Sequence, residues 1–158
     1  MSADPIMIGS DHAGVALKEA LKPFLEQRGL AVTDAGMATA DPVDYPDIGC
    51  QVAAGVSSGK FARGILICGS GVGMTIVANK YPGIRAALCL DEETAQLSRL
   101  HNDTNILCLA GRKTDPGKAI KIVEVWLKTL FEGGRHNRRI EKIRDIEKQI
   151  CEQHLTST

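Results

Sequence analysis

The chain is poor in aromatic residues. Three phenylalanines, two tyrosines and one tryptophan make up 4% of its 158 residues, so Val, Ile, Leu and Ala have to build the interior. That diet suits a parallel sheet covered by helices. There is no net charge either, with 19 Lys+Arg against 19 Asp+Glu. This removes the global field that draws proteins to nucleic acid or to a membrane surface, and any basic site has to be local. No apolar run approaches the roughly 18 residues of a spanning helix, and the opening residues lack the pattern of a secretory leader. The five cysteines, Cys50, Cys68, Cys89, Cys108 and Cys151, are odd in number and form no C-x-x-C pair. Their spacing therefore writes neither a disulfide framework nor a zinc site, and the expected compartment is a reducing cytoplasm. The length fits one domain over 1–158.

Three familiar loops are missing as well. Gly69, Gly71 and Gly73 give G-x-G-x-G rather than the G-x-G-x-x-G of a dinucleotide site, although Asp91 falls near where a ribose-binding acid would stand. Gly-Lys-Ser/Thr is absent, which removes a Walker A loop. The arginine that a cysteine phosphatase would place six residues after its nucleophile is here Met74.

What is present is the stretch Ile65-Leu66-Ile67-Cys68-Gly69-Ser70-Gly71-Val72-Gly73-Met74. A strand-type apolar run delivers a thiol and a hydroxyl onto a loop of three glycines, and a helix-compatible segment follows at once. Glycines let backbone N–H groups face a ligand with no Cβ in the way, and a helix N-terminus adds unsatisfied donors and partial positive charge. A thiol so placed ionises more readily. The loop alone is compatible with catalysis on an oxyanion and with simple anion binding.

Apolar runs at 6–9, 30–32, 64–67, 86–90 and 106–110 alternate with helical patterns at 15–27, 48–56, 75–80, 92–100 and 116–131. Pro23 inside the first helix predicts a kink or a late start. This alternation predicts a doubly wound, three-layer α/β sandwich on a five-stranded parallel sheet, Rossmann-like, with an extra C-terminal helix. That helix, at about 137–155, carries Ile140, Ile143, Ile146 and Ile150 as a narrow stripe suited to packing on another subunit.

In open α/β sheets, ligands sit beyond the carboxyl ends of the strands. Those ends carry Ser10-Asp11-His12-Ala13-Gly14, Cys68 to Gly73, Asp91 and Gly111-Arg112. Asp11 alone would read as a helix N-cap and His12 alone as a surface histidine; their convergence with Cys68 reads as a site. Two constellations lie elsewhere. His101-Asn102-Asp103-Thr104-Asn105 precedes the fifth strand and on its own could be a polar turn. Arg135, His136, Arg138 and Arg139 start the last helix, where the macrodipole prefers acids, so a bound anion or a salt-bridged surface would explain them.

Taken together, Ser10-Asp11-His12-Ala13-Gly14, Asp44-Tyr45-Pro46, the Cys68 loop, Ala78-Asn79-Lys80, Gly83-Ile84-Arg85-Ala86, Ser98 to Asn105 and Glu132-Gly133-Gly134-Arg135-His136-Asn137-Arg138-Arg139 resemble the ribose-5-phosphate isomerase B family, which includes the galactose-6-phosphate isomerase subunits. The resemblance runs from about Ile6 to Ile150. Some members carry a glutamate base at the position of Met74; this chain resembles the cysteine type. The resemblance implies interconversion of ribose 5-phosphate and ribulose 5-phosphate, a step of the pentose phosphate pathway, with no metal and no cofactor. It implies His101 as the ring-opening acid with Asp11 as helper, Cys68 as the base and Ser70 as a proton relay. The backbone of Gly69, Ser70, Gly71, Val72 and Gly73 would hold the enediolate. His12, Arg112, Arg135 and Arg139 would hold the phosphate, with Tyr45 and Asn102 against the sugar and Arg138 less closely matched.

Strand direction adds an expectation of its own. His101 and Arg135 precede a strand or follow a crossover helix, so both belong at the amino edge of the sheet, away from Cys68. A shared pocket then requires a homodimer, or a larger assembly such as a tetramer, with sites between subunits. The expected ligand is a small sugar phosphate, with no nucleic acid and no membrane. Rival readings are a six-carbon substrate such as allose 6-phosphate or galactose 6-phosphate, and a non-catalytic flavodoxin-like phosphate- or nucleotide-binding module.

Overall fold

A computed structural model of the chain describes residues 4–36 and 41–157. Five strands, β1 (Pro5–Ser10), β2 (Ala31–Asp34), β3 (Arg63–Cys68), β4 (Ala86–Leu88) and β5 (Ile106–Ala110), form one parallel sheet in the order β2-β1-β3-β5-β4. Six helices connect and follow them: α1 (Val15–Gln27), α2 (Tyr45–Ser57), α3 (Val72–Ala78), α4 (Glu92–Asn102), α5 (Pro116–Lys128) and α6 (Arg135–Thr156). The doubly wound α/β sandwich is therefore as expected. None of the described helices is long and apolar enough to cross a membrane.

Two cores flank the sheet. Ile6, Ile8, Ile65, Ile67, Leu107 and Leu109 face α1, α4 and α5, where Leu21, Ala95, Ile122 and Trp126 are fully buried. The alternate residues Leu66, Cys68, Ile106 and Cys108 face α2 and α3, against Val52, Met74 and Ala78. Central strands buried on both faces explain why 64–67 and 106–110 are continuous apolar runs rather than alternating ones. Truncating a side chain at this depth costs about 2–5 kcal/mol.

Several boundaries differ from the sequence pattern. The α2 helix starts at Tyr45 rather than 48, because Pro46 occupies its first turn, where a missing N–H costs nothing. The α3 helix starts at Val72 rather than 75 and β4 stops at Leu88 rather than 90. The α5 helix ends at Lys128 rather than 131. Pro23 neither delays nor ends α1. Its ring is on the exposed side of the helix, so the carbonyl deprived of a partner faces water. Asp91 is an N-cap of α4, accepting from Thr94 N at 2.7 Å, which holds its carboxyl below the ordinary range.

Candidate active site

The chain leaves β1 toward β2 on one side and reaches β3 on the other, so the loops after β1 and β3 diverge and open a crevice between them. The exit loops are tied together under that crevice. Asp11 N donates to Ile67 O at 3.1 Å and Gly111 N to Cys68 O at 2.8 Å. The Ile67 side chain lies directly beneath Gly14, where a Cβ would come within 2.7 Å of it.

Cys68 is the last residue of β3 and 5% exposed, with its side of the sheet packed by α2 and α3. Two further thiols, Cys89 and Cys108, are fully buried in the two cores. Burial pushes Cys89 up to about 11 and Cys108 up to about 12. After Cys68 the backbone reverses through Gly71 at φ +77°, a conformation that costs an L side chain about 1–2 kcal/mol. A Cβ there would also lie 2.4 Å from Leu88 Cδ1 and 3.0 Å from Leu109 O, so only glycine fits. The early start of α3 at Val72 brings its free first-turn N–H groups onto this loop. Exposed Ser70 accepts from one of them, Val72 N, at 3.3 Å.

Other expected residues close around the loop. The Tyr45 ring lies against Gly73, 2.7 Å from where a Cβ would stand, so glycine here is a matter of space. Arg112 lies across Gly69, with Nη1 3.2 Å from the corresponding Cβ position, and its N–H donates to Gly69 O at 3.1 Å. Asp11 Oδ1 accepts from Ala13 N at 3.0 Å and Gly14 N at 3.2 Å, so the residue does cap the 3₁₀ turn His12–Gly14. Capping through one oxygen leaves the other oxygen outside those two bonds. His12 Nδ1 accepts from Val43 N at 3.3 Å and lines a crevice of about 360 Å³ with Pro42, Val43, Asp44 and Asp47. A larger cavity of about 400 Å³ lies at the opposite edge between α1 and α5. Its cations are engaged within the chain: Arg28 and Lys128 pair with Glu124, and Arg63 donates to Leu127 O.

The remaining expected residues are not in this crevice. His101 and Asn102 end α4, and the segment after them meets the amino edge: Gly64 N, at the start of β3, donates to Asn105 O at 2.9 Å. Arg135 and Arg139 stand on the first turns of α6, also exposed. No carboxylate lies within ion-pair distance of Arg135, Arg138 or Arg139 among the described residues, so the salt-bridged alternative fails. The structure thus gathers the expected residues in two groups, Asp11, His12, Tyr45, Cys68 to Gly73 and Arg112 on one edge, and His101, Asn102, Arg135 and Arg139 on the other.

The sequence reading missed what fixes the second group. Asp103, the C-cap of α4, sits at φ +44° and is clamped by two arginines. Arg99 Nη1 reaches its Oδ1 at 2.8 Å, and Arg85 Nη2 its Oδ2 at 3.2 Å. Arg85 Nε also donates to Asn102 O at 2.8 Å. The only sequence signal was an aspartate where a helix-ending glycine is usual. His136, grouped by sequence with the anion-seeking arginines, is instead 3% exposed and stacks on His101.

Comparison with known proteins gives consistent relatives. Residues 6–143 match the ribose/galactose isomerase family. Ribose-5-phosphate isomerase B of Escherichia coli is 46% identical over 144 residues, 91% of this chain and 97% of that one. D-erythrulose-4-phosphate isomerase of Pectobacterium atrosepticum is 43% identical over 145 residues, 91% and 95% of the two chains. A crystal structure of ribose-5-phosphate isomerase B from Mycoplasma genitalium with bound ribulose 5-phosphate superposes with a TM-score of 0.89 at 43% identity, covering 94% of this chain and 99% of that one.

Proposed function

The chain belongs to the ribose/galactose isomerase family, and on that premise we propose that it interconverts D-ribose 5-phosphate and D-ribulose 5-phosphate through an enediolate, with Cys68 as the base. The observation that carries the reading is the placement of a nearly buried thiol at the strand exit of the switch point, at the start of a glycine loop against which Arg112 and Tyr45 close.

The chemistry follows from the groups present. Ribose 5-phosphate arrives mainly as a furanose. Opening it breaks the C1–O4 bond; His101 gives a proton to O4 while Asp11 accepts the proton of the anomeric hydroxyl. The Cys68 thiolate then takes the C2 proton, and the electron pair passes through C1 onto O1. N–H groups of the Gly69–Gly73 loop stabilise that oxyanion, the kind of interaction that strengthens as charge develops. Ser70 carries a proton from O2 to O1. Return of the Cys68 proton to C1 completes the ketose and restores the thiolate. His12, Arg112, Arg135 and Arg139 bind the phosphate, where guanidinium forks match its geometry. Tyr45 and Asn102 shape the sugar pocket. None of these steps calls for a metal or a cofactor, and the reading is of a cytoplasmic enzyme of the pentose phosphate pathway.

The two groups belong to one site only if a second copy of the chain brings its amino edge to the first copy's carboxyl edge. A homodimer of this kind, alone or within a tetramer, also accounts for α6. Its Ile140 is buried, yet Ile143, Ile146 and Ile150 are 48%, 55% and 49% exposed on a helix otherwise fixed to its own body by Glu147 against Gly83 N. A partner covers that stripe. The 1–158 chain then acts as one domain whose catalytic unit is the dimer.

The four-carbon relative favours one second reading, a shorter sugar phosphate at the same base. Purified protein assayed against four-, five- and six-carbon aldose phosphates decides the substrate. Ribose 5-phosphate should give the highest kcat/KM. Cys68→Ala should lower its turnover by about 10²–10⁴-fold, with the fold intact by circular dichroism. Near-normal turnover in that variant would remove the thiolate from the reaction.

A further inference from the structure

At the amino edge a third titratable group stands beside the His101–His136 stack. The ring centroids are 4.4 Å apart and the planes differ by 14°. Glu132 Oε2 lies 3.1 Å from His136 Nε2 and 3.8 Å from His101 Nε2. His136 Nε2 is buried and makes no hydrogen bond among the described residues, so the 3.1 Å approach of Glu132 lacks hydrogen-bond geometry. The arrangement is fastened from below. Arg99 Nε donates to Thr129 O at 3.2 Å, Glu132 N to Leu100 O at 3.1 Å and His136 N to Gly133 O at 3.1 Å. The first two bonds clip the segment between α5 and α6 onto the turn of α4 that carries His101, and the third closes the turn that starts α6.

The three ligand atoms lie within 4.8 Å of one another, and two imidazoles with a carboxylate have the composition of a transition-metal site. The geometry opposes that use. A metal is bound along the in-plane lone pair of each imidazole, and two nearly parallel stacked rings send those lone pairs side by side rather than to a common point. The stack instead fixes the plane of His101, and the carboxylate faces the edges of both rings.

We propose that Glu132 and His136 are positioning residues for ring opening: His136 sets the orientation of His101 by stacking, and Glu132 offsets the charge of the proton that His101 delivers to the furanose oxygen. The inference rests on the reading of His101 as the ring-opening acid. It adds two residues that touch no substrate and act through His101.

The test separates ring opening from carbon chemistry. Ribulose 5-phosphate cannot close a five-membered ring, because the O5 that would attack its C2 carbonyl is esterified. Its C1 proton exchanges with D₂O through the enediolate without any ring step, and proton NMR follows that exchange. Glu132→Gln keeps the size of an exposed side chain and removes its charge. It should lower kcat on ribose 5-phosphate at least about tenfold, part of what a general acid is worth. Deuterium entry at C1 of ribulose 5-phosphate should stay within about twofold of wild type. His136→Phe, which retains an aromatic plane, should keep more ribose 5-phosphate turnover than His136→Ala. Equal loss of both reactions in Glu132→Gln, or loss of neither, overturns the proposal, as does an alanine variant at 136 equal to phenylalanine. Wild-type protein that neither turns over ribose 5-phosphate nor exchanges C1 would instead overturn the underlying reading of the site.

Discussion

The separation of Cys68 from His101 makes a quantitative prediction. In the register of β3 with β5, Cys68 pairs with Ala110 and Gly64 with Ile106, so the thiol and the amino edge are four residues apart along the strand. At about 3.3 Å per residue that is about 13 Å, and His101 lies beyond it, before Asn105. In the proposed mechanism both groups come within about 3 Å of atoms of one sugar. A single chain cannot do this. Cys68→Ala and His101→Asn are each expected to be nearly inactive alone. When the two chains are unfolded and refolded together, each mixed dimer holds one site with both lesions and one site with none. Random pairing makes about half of the dimers mixed, so activity should recover to about a quarter of wild type. Mixed dimers isolated through two different affinity tags should reach about half. The assay is turnover of ribose 5-phosphate at saturation. Isolated mixed dimers with no recovery would mean that Cys68 and His101 serve the same site from the same chain, and the two-edge argument would be refuted.

Other outcomes follow from the same geometry. Arg135→Ala and Arg139→Ala remove exposed cations with no carboxylate partner, so the fold should stand while KM rises about 10–100-fold, the worth of a charge-assisted hydrogen bond, with a smaller fall in kcat. Isothermal titration with inorganic phosphate should show the same loss of affinity; unchanged KM and phosphate binding would remove these residues from the site. Gly71→Ala has to move Leu88 or the loop itself, and a displacement near 1 Å should cost about 10²-fold in kcat/KM. Wild-type kinetics there would exclude the loop N–H groups from oxyanion binding. Iodoacetamide at pH 8 should label exposed Cys151, and should inactivate through Cys68 unless sugar phosphate is present. Burial raises Cys89 to about 11 and Cys108 to about 12, so both remain protonated and unlabelled until the chain unfolds. Mass spectrometry of the labelled peptides checks this; early modification of Cys108 would contradict its burial.

Much of this protein was written locally. Strand runs, glycine positions and the direction of each crossover are sequence properties, so the order of the chain alone assigned Cys68 to one edge of the sheet and His101 to the other. The residues that cluster on each edge were legible for the same reason: a loop leaving a parallel strand has to emerge at that strand's carboxyl end. Side-chain partnership was not legible. Asp91 and Asp11 are both acids at strand exits. Only the backbone geometry around them shows that both are caps, Asp91 accepting from Thr94 N and Asp11 from Ala13 N and Gly14 N, and that Asp11 does so at the mouth of the crevice. His136 reads as one of a basic run, and only the packing of α6 against α4 buries it on His101. Pro23 carries a helix-breaking signal that holds wherever the freed carbonyl is buried, and here the fold exposes it. Asp103 takes a left-handed backbone because two arginines, from positions 85 and 99, reach it in space. Propensity and direction act over a few residues and survive in the sequence. Desolvation and charge pairing depend on which distant segments come into contact, and only the folded chain decides that.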